Sequence, residues 1–123
     1  MNKILEIGTF DAKNAFLLSQ LFPKSLITSL DLDDNDNNFK YSYNRDKNIE
    51  KFILDRNKLI ELSKNVNFIG KNSLYLTFET DLYDLIWVDG AHGYPVVTID
   101  IINAIRLISE NGIILCDDVF KKK

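Results

Sequence analysis

Several residue types are scarce in this 123-residue chain, and each scarcity excludes a class of protein. The single cysteine, Cys116, rules out an internal disulfide, and one cysteine with one histidine cannot build a thiolate zinc site. No apolar stretch approaches the roughly 20 residues that a membrane-spanning helix needs. The segment Met1–Lys3 leads into an apolar strand without the layout of a signal peptide, so we expect a cytoplasmic protein.

Positive charge is not in excess, since 15 lysines and arginines stand against 18 aspartates and glutamates. The formal net charge is −3, which disfavours nucleic acid and anionic membrane surfaces as partners, because both reward basic patches. Hydrophobic residues make up 46% of the chain, which is enough for one folded domain over residues 1–123.

Two apolar segments that end on aspartate carry most of the information. Residues 85–92 read LIWVDGAH, and residues 112–118 read GIILCDD. Each run fits a strand buried on both faces, with a helix-like segment from about Pro95 to Ser109 between them. A right-handed crossover makes these strands parallel, so their polar ends should converge where open α/β sheets bind ligands. The residues concerned are Asp89, His92, Asp117 and Asp118.

Strand and helix candidates alternate along the whole chain. Strands are predicted at Lys3–Ile7, Leu26–Asp31, Val66–Ile69, Tyr83–Val88 and from Gly112 onward. Helices are predicted at about 11–22, 46–63 and 95–109, with a short turn or helix at 73–79. The alternation predicts a Rossmann-like, doubly wound α/β fold with a mainly parallel sheet in the order 3-2-1-4-5.

Packing roles follow from the same reading. The third helix is expected to bury its apolar residues Val97, Ile101, Ala104, Ile105 and Ile108 and to end at Asn111-Gly112. Core packing is the expected role of Trp87 and Cys116.

The turn after the first strand is a candidate ligand site. Gly8 lets the backbone approach a ligand closely, and the next helix offers free N–H groups at its start. Glu6 interrupts an apolar strand, where a carboxylate buried without a partner would be costly. The alternative is a tight turn through Thr9 and Phe10, with Glu6 facing solvent.

Asp31 ends the second strand, 23 residues after Gly8. A carboxylate at this place can accept hydrogen bonds from both hydroxyls of a ribose. The alternative is an aspartate that simply starts the acidic loop containing Asp33 and Asp34. The dinucleotide fingerprint needs three glycines and Gly8 stands alone, which disfavours a nucleotide-dependent oxidoreductase.

Four features together resemble a class I S-adenosylmethionine-dependent methyltransferase: the string ILEIGTFDAKNA, Asp31, the run DLIWVDGAHGY and the run NGIILCDD. More narrowly, they resemble the subgroup with Asp-Gly-x-His-x-Tyr after the fourth strand and Asp-Asp after the fifth. That subgroup includes sugar and natural-product O-methyltransferases, some of them dependent on a divalent metal. The resemblance implies a cofactor site formed by Glu6, Gly8, Thr9, Phe10, Asp31, Asn72, Ser73 and Asp89.

Within that implied site, the acidic residue and glycine of the first strand lie near the methionine part of the cofactor. Asn72 and Ser73 lie beside the adenine. Three departures from the family stand out: Ala12 replaces a common second glycine, Asn72 replaces a common aspartate, and the two C-terminal strands of the methyltransferase fold are missing. We therefore expect a C-terminally truncated domain; the alternative is a minimal domain that needs a partner.

The carboxylates Asp89, Asp117 and Asp118 would repel one another at one sheet edge unless a cation or a proton intervened. Hard oxygen ligands suit Mg²⁺, whereas the alternative is that Asp117 or Asp118 caps a following helix. His92, beside Asp89 in the candidate catalytic site, is the natural base for a hydroxyl at neutral pH. The alternative is that His92 has a structural role or simply contacts the substrate.

The sequence therefore predicts an S-adenosylmethionine-dependent O-methyltransferase that acts on a small hydroxylated acceptor with divalent-metal assistance. The rival hypothesis is an incomplete or inactive domain that serves as a binding or interaction module. Because the fifth strand would be an exposed edge, we also expect self-association through it.

Overall fold

The computed structural model describes residues 2–37, 39, 48–89 and 96–117. Five strands are present in these ranges: β1 (Lys3–Ile7), β2 (Leu26–Asp31), β3 (Val66–Gly70), β4 (Tyr83–Val88) and β5 (Ile108–Cys116). The helices are α1 (Lys13–Leu21), α2 (Ile49–Leu62) and α3 (Val96–Leu107), with a 3₁₀ helix at Ser73–Phe78. Strands β1 to β4 lie within one residue of their predicted bounds.

The strands form one sheet in the order β3-β2-β1-β4-β5, and every neighbouring pair is parallel. This confirms the predicted Rossmann-like α/β fold and its strand order. β1 is the middle strand of the five, with β2 on one side and β4 on the other.

Alternation along the strands divides the core into two layers. On one face of the sheet, Ile4, Ile27 and Leu85 pack against Leu18 of α1. On the other face, Leu5 and Ile86 belong to a larger cluster that includes Ala104 and Leu107 of α3. Successive side chains of a strand point to opposite faces, so the apolar runs of β1 and β4 supply both layers.

The boundary between α3 and β5 differs from the prediction. The helix ends at Leu107, and Ile108 is already extended and pairs with Tyr83. The register then jumps, because Leu85, two residues along β4, pairs with Ile113, five residues along β5. The Asn111-Gly112 turn therefore lies in an irregularity inside β5 and not at the end of the helix.

The buried face of α3 was also predicted incorrectly in part. Ala104 is buried, but Ile101 and Ile105 are exposed, and Asp100, Asn103 and Leu107 occupy the inward face. Apolar residues occur on most sides of α3, so their spacing alone does not identify which face of the helix is buried. Packing of α3 against the sheet and the 3₁₀ helix decides which side is buried.

The prediction that β5 is buried on both faces is wrong. Ile113 and Leu115 are exposed, and so is Cys116, for which core packing was expected. β5 lies at one edge of the sheet, so within the described ranges β4 is its only strand neighbour. Trp87, on the adjacent strand, is only partly buried.

Among the residues that the structure describes, no helix is both long and apolar enough to span a membrane.

Candidate functional site

Parallel register brings the predicted polar residues to one level at the carboxyl edge of the sheet. Ile7 of β1 pairs with Leu30 and with Val88, and Val88 pairs with Cys116. The residues that come next are therefore Gly8 after β1, Asp31 at the end of β2, Asp89 after β4 and Asp117 after β5. Backbone hydrogen bonds extend the pairing to this level, since the Gly8 N–H donates to the Leu30 carbonyl and the Asp89 N–H donates to the Ile7 carbonyl, both at 2.8 Å.

The turn between β1 and α1 contains three residues with positive φ. Gly8 has a φ of 103°, Phe10 of 50° and Ala12 of 68°. For residues other than glycine this conformation costs about 1–3 kcal/mol, and such strain clusters at ligand sites. A glycine at position 12 would adopt the left-handed conformation without strain, which gives a physical reason for the glycine that the resemblance places there.

Glu6 lies directly beneath this turn and is only 1% exposed, so the alternative of a solvent-facing Glu6 is wrong. Its Oε1 accepts a hydrogen bond from the Ser29 hydroxyl at 2.5 Å, and its Oε2 accepts one from Asn14 Nδ2 at 2.7 Å. Thr9 is also buried, and its Oγ1 lies 2.7 Å from Ser29 Oγ. The Thr9 side chain therefore belongs to the same hydrogen-bond network as Ser29 and Glu6.

The charge state of Glu6 reflects this enclosure. Burial is the largest cause that raises its pKa to about 7, whereas the hydrogen bonds from Ser29 and Asn14 lower it. The carboxylates of Asp89 and Asp31 raise the pKa further. A cation placed near the turn would favour the charged form of this carboxyl.

Asp31 fixes the conformation of the same turn. Its Oδ2 accepts a hydrogen bond from the Phe10 N–H and its Oδ1 accepts one from the Leu32 N–H, both at 2.8 Å. The side chain thus joins the end of β2 to the turn after β1. A carboxylate has about four lone-pair sites, so both oxygens keep capacity for a further donor such as a ribose hydroxyl.

The loop after β2 is anchored by a residue that sequence reasoning missed. Arg56 of α2 is buried and forms a bidentate ion pair with Asp34, with Nη1–Oδ1 at 2.7 Å and Nη2–Oδ2 at 3.0 Å. Its guanidinium also lies over the Phe68 ring, 4.7 Å from the centroid. The ring of Phe10 packs on Phe52 of the same helix at 5.4 Å. α2 therefore supports two of the loops that border the site.

Asn72 and Ser73 lie where β3 leads into the 3₁₀ helix. Asn72 caps this helix, since its Oδ1 accepts the Leu74 N–H at 3.0 Å. Its side-chain oxygen thus has a local structural role, while the second lone pair can accept another donor. Asn72 itself is exposed.

Asp89 and Asp117 follow neighbouring strands, and the Asp117 N–H donates to the Val88 carbonyl at 3.0 Å. Asp118 and His92 lie outside the described residues. Within the ranges that are described, no cluster of three or more His, Cys, Asp or Glu side chains could hold a metal ion. The three-carboxylate site and the histidine base therefore stay predictions.

Sequence reasoning also missed Asp100 and Asn103, two buried polar residues on the inward face of α3. Neither carboxyl oxygen of Asp100 has a hydrogen-bond partner in the part of the chain that the structure describes, and the same holds for Asn103 Nδ2. The available signal was spacing, because Asp100, Asn103 and Leu107 recur three and four residues apart, as one helix face does.

The chain is similar to known proteins in sequence and in fold. A model of the family described as "Methyltransferase domain" matches residues 5–119, which is most of the chain. No match to a curated protein was found.

Solved structures share the fold. A precorrin-6y C5,15-methyltransferase from Geobacter metallireducens matches 94% of this chain and 52% of its own, at 20% identity and a TM-score of 0.63. An SAH-bound methyltransferase from Podospora anserina matches 94% of this chain and 45% of its own, at 26% identity and a TM-score of 0.62. A putative caffeoyl-CoA O-methyltransferase from Staphylococcus aureus matches 94% of this chain and 49% of its own, at 19% identity and a TM-score of 0.60. The chain spans about half the length of these proteins.

Proposed function

The chain belongs to the methyltransferase-domain family, and from that membership we propose that it binds S-adenosylmethionine and transfers the methyl group to a small hydroxylated acceptor. The observation that carries the proposal is the alignment of Gly8, Asp31 and Asp89 beyond three adjacent strands, beside a turn with three positive-φ residues. An open α/β sheet binds its ligand at this edge.

Electrostatics at the turn support the same cofactor. S-adenosylmethionine carries a sulfonium, which activates its methyl group, and an ammonium. Glu6, Asp31 and Asp89 bring three carboxyl groups close enough for Asp31 and Asp89 to raise the pKa of Glu6. This negative potential complements a cationic ligand, and Glu6 beneath the turn would be more fully ionised once such a ligand is held.

Each residue has a distinct part in the proposed site. Gly8 allows close approach of the backbone, and Asp31 accepts the two ribose hydroxyls while it holds the turn through Phe10. Asn72 and Ser73 border the adenine. The Podospora methyltransferase contains SAH, the demethylated product, which supports a nucleoside ligand for a chain of this fold.

The test of cofactor binding is calorimetric titration with S-adenosylhomocysteine. Asp31→Ala should weaken binding by about 1.5–3 kcal/mol, because it removes hydrogen bonds to a charged group. Asp33→Ala is the matched control, since Asp33 lies in the same acidic loop and its Oδ1 also accepts a local backbone N–H, from Asn35 at 2.9 Å. A folded wild type without affinity would refute cofactor binding, and equal affinities for wild type and Asp31→Ala would refute the ribose contact.

For the acceptor, we extend the proposal to a divalent metal held by Asp89, Asp117 and Asp118, with His92 as general base. Asp89 and Asp117 follow neighbouring parallel strands, which supports a shared ligand. A metal there would lower the pKa of an acceptor hydroxyl and orient it, and His92 would remove its proton.

Direct metal binding and turnover test these two roles separately. Asp89→Asn and Asp117→Asn should each weaken Mg²⁺ binding measured by calorimetry, whereas Asp55→Asn, on the exposed side of α2, should not. His92→Ala should retain S-adenosylhomocysteine affinity and lower methyl transfer to hydroxylated acceptors about 10²–10⁴-fold. Full transfer in excess chelator would refute the metal, and unchanged turnover of His92→Ala would refute the base.

A second candidate function, an interaction module, is favoured by one observation. Ile113 and Leu115 of β5 are 51% and 42% exposed, which leaves an apolar surface at the sheet edge. Such a surface is typical of a site that another polypeptide covers. Binding of S-adenosylhomocysteine without methyl transfer to any hydroxylated acceptor would support this alternative.

A further inference from the structure

Helix α3 runs beside the 3₁₀ helix and contacts it near both ends. Arg106, in the last turn of α3, donates hydrogen bonds to the carbonyls of Glu79, at 2.6 Å, and Leu76. These carbonyls lie in and just after the last turn of the 3₁₀ helix. Arg106 Nη2 also donates a hydrogen bond to Asn103 Oδ1 at 3.4 Å. Arg106, Asn103 and Asp100 thus form a row of polar residues along α3, which we call the polar seam.

At the other end of this seam, Asp100 lies beside Ser73, the first residue of the 3₁₀ helix. Burial raises the pKa of the Asp100 carboxyl, and the Ser73 hydroxyl lowers it. Yet neither carboxyl oxygen has a partner with hydrogen-bond geometry in the described ranges. The Ser73 hydroxyl thus lies near the Asp100 carboxyl without a hydrogen bond of full geometry between them.

An acidic side chain that is 1% exposed, with no hydrogen-bond partner among the described residues, is costly, so its place beside the 3₁₀ helix calls for a compensating role. A 3₁₀ helix has poor internal hydrogen-bond geometry and depends on its surroundings for a fixed position. Here the surroundings are Asn72, which caps its start, and α3, which packs against it and holds its far end through Arg106. Asp100 of α3 lies near Ser73 at the start of the 3₁₀ helix. The segment held in this way begins with the two residues assigned to adenine.

We propose that Asp100 is a positioning residue for purine recognition. It holds Ser73, and through Ser73 also Asn72, in the position from which these residues contact the adenine of the cofactor. The inference rests on the proposed cofactor. When the purine is bound, Asp100 and the Ser73 hydroxyl complete their hydrogen bond, and the Asn72 carbonyl faces the exocyclic amine. Arg106 fixes the far end of the 3₁₀ helix, so the turn cannot recede from the base.

The test measures discrimination between two purines. Calorimetry is run with S-adenosylhomocysteine and with S-inosylhomocysteine, in which a 6-oxo group replaces the 6-amino group. The wild type should prefer the adenosyl ligand. In Asp100→Ala and in Ser73→Ala, affinity for the adenosyl ligand should fall about 2–10-fold, the effect of one neutral hydrogen bond, with little change for the inosyl ligand.

Two further variants separate positioning from general stability. Asp100→Asn keeps a hydrogen-bonding group of the same shape, so it should restore most of the preference for adenosine. The Asp100→Ala, Ser73→Ala double variant should be no worse than either single variant, because both lose the same contact. Asp55→Asn on α2 is the control and should match the wild type.

The outcomes are distinguishable from those of the cofactor test. A wild type that binds neither ligand refutes the proposed cofactor, and the inference with it. A wild type that binds both equally refutes purine recognition alone. A wild type that prefers adenosine, with the same preference in a folded Asp100→Ala and in Ser73→Ala, refutes the role of Asp100.

Discussion

At the scale of single residues, burial changes the titration of Glu6. Glu6 has a pKa of about 7 in the folded protein, against 4.5 for an ordinary glutamate. A carboxyl with a raised pKa binds more protons in the folded than in the unfolded state. The contribution of Glu6 to the free energy of unfolding therefore falls as the pH rises from 4.5 to about 7, and stays lower above that range.

Glu6→Gln is expected to remove this dependence. Relative to the variant, the wild type should lose about 3 kcal/mol of unfolding free energy across the window, because each pKa unit corresponds to about 1.4 kcal/mol. Urea denaturation of both proteins at a pH of about 4.5 and of about 8 measures the difference, and comparing them cancels the titration of other groups. A difference between the two proteins that is independent of pH would contradict the assignment.

The sequence predicted that Asp31, Asp89 and Asp117 lie at the ends of parallel strands, because parallel register follows from the order of strands and helices. Asp118 and His92 lie outside the described residues.

The sequence did not predict the burial of Arg56 or Asp100. Both lie on helices with apolar residues on several sides, so spacing alone could not place a charged residue inward. Their burial depends on partners distant in sequence: Asp34 for Arg56, and the 3₁₀ helix for Asp100.

At the scale of elements, the irregular strand β5 depends on a glycine. A Cβ at Gly112 would lie 2.6 Å from Ile108 Cγ1 and 3.0 Å from the Asp84 carbonyl oxygen. The Ile108 side chain can move, but the backbone oxygen cannot move without disturbing β4. The close approach arises from the register jump between Tyr83 and Leu85, which brings the Asn111-Gly112 turn against β4.

Gly112→Ala is therefore expected to destabilise the domain by about 1–3 kcal/mol, the usual effect of overpacking. Gly70→Ala is the matched control, since a Cβ at Gly70 meets its nearest atoms at 3.5 Å, an ordinary contact. It should change stability by less than about 0.5 kcal/mol. Thermal and urea denaturation measure both variants, and equal losses would show that the close approach at Gly112 is not the cause.

The same strand shows where helix and strand patterns fail as predictors. Asn111-Gly112 has the signature of a helix end, and the apolar spacing continues through Ile108. Pairing of Ile108 with Tyr83 overrides that local preference, because an extended Ile108 packs against the main core cluster. A tertiary contact of this kind leaves no mark in the local sequence.

At the scale of the whole molecule, one group of exposed apolar side chains lies on β5 and on α3, which contacts it. Its members are Ile101, Ile102, Ile105, Ile113 and Leu115. We expect the 123-residue chain to associate with itself in a concentration-dependent way, since edge strands and apolar patches pair with other chains. Sedimentation velocity over a range of concentrations measures this association.

Replacing Ile113 and Leu115 together by lysine should shift the protein toward monomer, because charge on an edge strand opposes pairing. Leu54→Lys is the control, as Leu54 is 56% exposed on α2. A wild type that is monomeric at every concentration would contradict the prediction. Equal effects of the edge and control variants would show that solubility in general, and not the β5 edge, is responsible.

The central place of β1 has a consequence for the protein as it is made. Ile4 pairs with Ile27 on one side, but its other partner, Leu85, is translated roughly 80 residues later. At about 5–20 residues per second, a ribosome needs about 4–16 s to add that stretch. Until Leu85 is made, one edge of β1 lacks the strand whose backbone N–H and C=O groups pair with it in the finished sheet.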